Sequence, residues 1–128
     1  MTEVLLVGLG GAIGAVLRYL TGLAALKLFS GSSVYTGTLF ANVIGCFLAG
    51  VLLSFFSLSV NAPESIVLFL TVGILGSYTT FSTFALENGK LLSGPVSKLL
   101  LYLFWQIAGA FGALVTGYEL TRLMLGAA

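Results

Sequence analysis

The chain has 128 residues, 59% of them hydrophobic and 7% charged, with a formal net charge of +1 and no histidine. Such a composition excludes an ordinary water-soluble domain, and it leaves no basic stripe to hold the phosphates of a nucleic acid. A single cysteine and the lack of histidine also exclude, within one chain, His/Cys zinc sites and Ser-His or Cys-His nucleophile pairs.

A helix needs about 20 apolar residues to cross the hydrocarbon core of a bilayer. Four segments meet that length, so the expected fold is an all-α membrane protein with one four-helix domain over residues 1–128. The first span runs from about Val4 to Leu26. Glu3, rather than a basic region, precedes it, and it is too long for a signal-peptide core. Gly10 and Gly14 lie four apart in it and suit close helix packing in lipid. Gly8 and Gly10 also begin a dinucleotide-loop pattern, but Ile13 stands at its third glycine position and no strand–loop–helix context surrounds it. Arg18 is the one Arg or Lys well inside a span. It either snorkels to an interface or lines an aqueous vestibule that attracts anions.

The connection Lys27–Ser33 carries the turn sequence Ser30-Gly31-Ser32-Ser33, and the second span follows from about Val34 to Leu58. Asn42 is its only amide, and an amide in hydrocarbon requires partners. Cys46 reads as a small packing residue. The next connection, Ser59 to Glu64, contains Asn61 and Pro63.

The third span, from about Ser65 to Leu92, carries the run Gly76-Ser77-Tyr78-Thr79-Thr80-Phe81-Ser82-Thr83-Phe84. Polar groups at this depth are costly and usually face an interior pathway. Gly73 and Gly76 lower helix propensity just before the hydroxyls. Two readings stay open: a helix broken near mid-membrane whose exposed carbonyls can hold a cation, or a continuous helix whose hydroxyls bond back to their own turn. Phe81 and Phe84 share a helical face. Presented edge-on, their positive ring rims favour a small anion without a formal charge. Thr80, Ser82 and Thr83 add hydrogen-bond donors between them. Glu87 ends this polar stretch, and its acid either caps or pairs, with Arg18 or with a lysine.

Asn88-Gly89-Lys90 and Ser93-Gly94-Pro95 punctuate the way to the fourth span, about Val96 to Leu125, where Ala108, Gly109, Gly112, Ala113, Thr116 and Gly117 form a small-residue stripe. Four spans put both termini on one side. Lys27, Lys90 and Lys98 gather at the other side against Arg122 near the termini, which predicts cytoplasmic loops and external termini.

Three ordered motifs carry a resemblance over essentially the whole chain. They are Gly10-Gly11-Ala12-Ile13-Gly14-Ala15-Val16-Leu17-Arg18-Tyr19, Gly37-Thr38-Leu39-Phe40-Ala41-Asn42-Val43-Ile44-Gly45, and Gly73 through Phe84 followed by Glu87. With its length and span count, the chain resembles the CrcB/Fluc fluoride channels. The resemblance implies a fluoride-selective channel of the cell membrane that exports toxic fluoride passively. It implies an antiparallel, dual-topology two-subunit assembly with two pores, in which Asn42, Phe81 and Phe84 are pore residues and Arg18 lies at the vestibule. It further implies that Gly76 and Thr79 give backbone carbonyls to a structural sodium ion at the dimer centre.

One departure stands out. The hydroxyl track that such channels often carry in the fourth span falls here on Phe104, Ala108 and Gly112, none of which has a hydroxyl. That gap and the charge bias favour a heteromer with a related chain, while a homodimer remains the default. Competing readings from other classes are a small proton-coupled exporter, which would need an acid mid-span in the first helix, and a non-conducting subunit. An enzyme lacks any nucleophile–base or metal constellation.

Overall fold

Alternating apolar runs and short polar turns give four long helical spans in the computed structural model, which describes residues 1–58 and 62–126. The spans are Thr2–Leu28, Gly37–Leu58, Glu64–Leu91 and Val96–Gly126, each long and apolar enough to cross a membrane. Among the described residues there is no strand. Of the connection expected over Ser59 to Glu64, residues 59–61 lie outside the described residues.

The first connection is built as its composition predicts. Gly31 takes a positive φ of 82°, which L side chains rarely adopt. Ser32 Oγ then accepts the N–H groups of Val34 and Tyr35. Thr36 starts the second span. Its Oγ1 accepts the Leu39 N–H and its carbonyl accepts that of Phe40, so it works as a cap. Asn88-Gly89-Lys90, expected to punctuate, instead stays helical to Leu91. The Asn88 Nδ2 donates back to the Phe84 carbonyl, so its N–H is used without leaving the helix.

Two seams hold the spans together. The first and third meet through glycine: a Cβ on Gly10 would run into the Phe69 carbonyl and the Gly73 Cα, and one on Gly14 into the Ile74 carbonyl. The second and fourth meet likewise, with Gly50 against the Leu114 carbonyl and Gly117 against the Phe47 carbonyl. Lipid tails give no hydrophobic drive between helices, so such backbone approach is what van der Waals packing requires.

Neither the third nor the fourth span is a uniform α-helix. The third runs as α-helix over Glu64–Leu68, π-helix over Phe69–Leu75 and α-helix over Gly76–Tyr78. Thr79 (φ −83°, ψ 158°) and Thr80 (φ −153°, ψ 125°) are extended, and helix resumes at Phe81–Leu91. The fourth has a π-helical turn at Trp105–Gly109 between Val96–Phe104 and Ala110–Gly126. Single π turns are frequent at functional sites.

Candidate functional site

The extended pair Thr79–Thr80 opens onto a cleft of about 500 Å³ between the second, third and fourth spans, lined among others by Asn42, Cys46, Gly76, Thr79, Phe81, Phe84 and Gln106. A smaller cavity of about 330 Å³ places Arg18 with Thr38, Thr80, Thr83 and Glu87.

The geometry around Thr80 follows from the interruption. In a continuous α-helix its N–H would go to the Gly76 carbonyl. Here it donates to Asn42 Oδ1 at 2.9 Å, while Asn42 Nδ2 donates to the Thr80 carbonyl at 3.1 Å. The Asn42 amide thus serves both backbone groups of one residue. One turn on, the Thr83 N–H, which a helix would send to the Thr79 carbonyl, turns to Thr80 Oγ1 at 3.4 Å. Thr80 is the N-cap of the second half of the span. The Thr83 hydroxyl also donates to Thr80 Oγ1, at 3.1 Å, and Ser82 Oγ lies 3.2 Å from the same oxygen. The three expected donors therefore form one cluster at a helix N-terminus.

Asn42 begins a relay that leads from the cleft to Glu87. Its Nδ2 donates to Gln106 Oε1 at 3.3 Å, Gln106 Nε2 donates to the Tyr102 hydroxyl at 3.0 Å, and that hydroxyl donates to Glu87 Oε2 at 2.6 Å. Thr36 and Thr38 give their hydroxyl protons to the same carboxylate at 2.8 and 2.6 Å. Three O–H donors, drawn from the second and fourth spans, satisfy Glu87. Among the described residues the one ion pair is Arg122–Glu119, so neither Arg18 nor a lysine pairs with Glu87. Every donor in the relay points toward the carboxylate, which suits buried polar groups that must each be paired.

The phenylalanines stand on this frame. Phe84 stacks on Tyr102 with ring centroids 6.0 Å apart and an interplanar angle of 22°, and Tyr102 is fully buried at 0% exposure. Phe81 lies 5.6 Å from Phe84, tilted by 51°, and is 78% exposed at the cleft. On the other side, Thr21 gives its one proton to the Leu17 carbonyl, so the Tyr78 hydroxyl 3.0 Å away donates to Thr21 and ties the third span to the first.

One sequence expectation is corrected. Phe104, Ala108 and Gly112 do not line the cleft; all three are exposed, Phe104 by 58%. The face turned inward carries Tyr102, Gln106 and Ala110. Two residues along a helix are a rotation of roughly 200°, so reading the span two positions late selects the opposite side. The inward face is polar at two of its three positions. Tyr102 and Gln106 are the functional candidates that sequence reasoning missed; their spacing of four, below Glu87 and Asn42, was the available signal.

The oxygens at the interruption also bear on a cation. Unwound carbonyls are hard donors of the kind that hold sodium in membrane proteins. Gly76 and Thr79 lie on either side of this break, and the N–H groups that would be their helical donors, those of Thr80 and Thr83, are bonded elsewhere. The residues present therefore fit the group.

A four-span, multi-pass membrane protein with a phenylalanine-rimmed cleft at an interrupted helix is the class this fold and site define. The chain belongs to the CrcB family: the family model described as CrcB-like protein, Camphor Resistance (CrcB), matches residues 5–118. Among curated relatives it is similar to "Fluoride-specific ion channel FluC" of Rhizobium meliloti, at 42% identity over 98% of this chain and 100% of the relative. It is also similar to "Fluoride-specific ion channel FluC 1" of Nitrobacter hamburgensis, at 38% over 96% and 98%. It is similar as well to "Fluoride-specific ion channel FluC" of Shewanella halifaxensis, at 42% identity over 94% of this chain and 96% of the relative.

Proposed function

We propose that this protein is a fluoride-selective passive channel, not an enzyme, that lets fluoride leave the cell across its membrane. The observation that supports this most is the pairing of Phe81 and Phe84 in one cleft with Thr80, the residue on whose hydroxyl Ser82 and Thr83 converge, in a chain whose relatives are named for that activity. Ring edges carry partial positive charge. They stabilise a small, strongly hydrated anion while giving less to a large one, and the hydroxyls replace the water it sheds. Arg18, in the adjoining cavity with Thr38 and Thr83, draws anions toward that entrance.

In this reading the interruption at Thr79–Thr80 sits near the middle of the membrane. Two copies associate in antiparallel orientation, and their open clefts close on each other to make two pores. The carbonyls of Gly76 and Thr79 from both subunits hold a structural sodium ion, which contributes fixed positive charge at the dimer centre. A homodimer is favoured over a heteromer, because the inward face of the fourth span carries Tyr102 and Gln106, and the gap at Phe104, Ala108 and Gly112 lies on an exposed face.

The test is fluoride efflux from liposomes containing only this chain, with chloride as control. Fluoride release well above empty liposomes without chloride release is expected. Equal leaks of the two anions, or no fluoride release, would overturn the reading. Silence from this chain alone, with activity restored by a related second chain, would replace the homodimer by the heteromer.

A further inference from the structure

Asn42 spends its amide on backbone. Its Oδ1 takes the N–H of Thr80 and its Nδ2 takes the Thr80 carbonyl, at 2.9 and 3.1 Å. The second Nδ2 proton goes to Gln106, which is 7% exposed and is held in turn by Tyr102. The amide therefore cannot flip without breaking both Thr80 bonds and the Gln106 bond. Its effect falls on another residue. Thr80 has one N–H, and what Asn42 accepts is withheld from Gly76, the α-helical partner four residues earlier.

We propose that Asn42 is a positioning residue for the cation site: by diverting the Thr80 N–H, it leaves the Gly76 carbonyl free to face a cation it does not itself touch. The Thr80 hydroxyl performs the same service one turn later, capping the Thr83 N–H and so releasing the Thr79 carbonyl. The two diversions act together. Without the Asn42 acceptor, the cheapest partner for the Thr80 N–H in a low-dielectric setting is the Gly76 carbonyl. The interruption then heals toward helix, and a ligand is lost. Gln106 is the brace that holds the amide in the required sense. The inference rests on reading Gly76 and Thr79 as sodium ligands.

The experiment titrates the purified, fluoride-free full-length protein with sodium against N-methylglucamine and reads the melting temperature. Removing a residue that orients a metal ligand typically weakens metal affinity about 10- to 100-fold, and that loss is expected for Asn42→Leu. Phe81→Leu removes a pore ring and leaves the Asn42–Thr80 pair, so its sodium response should match the unmodified protein. Asn42→Ser, too short to serve both Thr80 groups, is a second variant should leucine prevent folding. As an independent readout, the carbonyl resonance of isotope-labelled Gly76 should move on sodium addition in the unmodified protein and stay still in the Asn42 variants. Folded Asn42 variants with unchanged sodium affinity and an unchanged Gly76 response would overturn this inference alone. An unmodified protein indifferent to sodium would overturn it together with the cation reading. Because fluoride is absent throughout, a role for Asn42 as an anion ligand cannot produce the expected result.

Discussion

The glycine seam between the first and third spans and the polar contact of the second, third and fourth spans around Asn42 and Glu87, separate from the glycine contact of the second and fourth at Gly50 and Gly117, hold helices together by opposite means. At Gly10, Gly14 and Gly73 backbones touch, and the only cross-span side-chain hydrogen bond nearby among the described residues is Tyr78 to Thr21. At Asn42, Gln106, Tyr102, Glu87, Thr36 and Thr38 a continuous chain of side-chain hydrogen bonds joins the spans instead. In lipid both solve the same problem, since no hydrophobic force drives helices together. They differ in what they leave accessible. Backbone contact leaves no room and no free polar group, so it makes a wall. A hydrogen-bonded seam borders an open cleft, which under the proposed function offers donors to the anion and so serves as its path. The π turns at Phe69–Leu75 and Trp105–Gly109 belong to the spans that flank that cleft.

The comparison can be broken first at the wall. Gly14→Leu sets a side chain against the Ile74 carbonyl, which is backbone and cannot swing aside. Overpacking typically costs about 1–3 kcal/mol and occasionally more. A contact with backbone belongs at the upper end, and we expect loss of monodisperse protein in size-exclusion chromatography. Normal yield and melting temperature would mean that the seam is looser than described.

The path is broken most sharply at its rings. Phe81→Ile and Phe84→Ile keep apolar volume and remove the positive edge; the scale of an aromatic pair, about 1 kcal/mol, sets the order of magnitude. Each tenfold in rate corresponds to about 1.4 kcal/mol, so fluoride flux should fall severalfold to tenfold in each while assembly persists. Unchanged flux in both would assign the rings to packing.

A smaller effect is expected in the relay. Gln106→Leu is similar in size but leaves the Asn42 amide and the Tyr102 hydroxyl each short of a partner. Unsatisfied buried groups cost about 1–3 kcal/mol, so the melting temperature should drop while sodium and fluoride responses weaken together. Gln106→Glu still accepts from Asn42 but cannot donate to Tyr102, and it should fall between leucine and the unmodified protein. If leucine is neutral in thermal unfolding, the relay is incidental to stability.

The smallest effect sharpens the contrast from the other side. Nothing lies within 4 Å of a Cβ built on Gly8 or Gly112. Gly8→Ala and Gly112→Ala should therefore stay within about 0.5 kcal/mol of the unmodified protein, or gain slightly from helix propensity. A large loss at either would show that a second subunit packs there.

Much of this was legible before the fold. Continuous apolar runs of bilayer length need every backbone polar group satisfied internally, which leaves helices as the solution, and the four spans came out within three residues of their expected ends. The Gly10–Gly14 pair announced its packing by spacing alone. The Gly76–Phe84 run announced a costly polar site by its composition, and its family motif pointed to the activity. All of these are local: they depend on residues within a turn or two of one another.

What the sequence could not fix is which way each face of the fourth span points. An almost uniformly apolar helix lacks the polar–apolar stripe that reports facing in a soluble protein, so Phe104, Ala108 and Gly112 were read as the track where Tyr102, Gln106 and Ala110 turn inward. Nor could it give Asn42 its partners, which lie 38 and 64 residues away at Thr80 and Gln106, or give Glu87 its three hydroxyls in place of a basic residue. Sequence determined that these groups must be satisfied, because a bare amide or carboxylate is too costly in hydrocarbon. Only tertiary structure decided by whom, because a hydrogen bond forms where packing brings donor and acceptor within about 3 Å, and four helices can be packed in many registers that satisfy the same local rules.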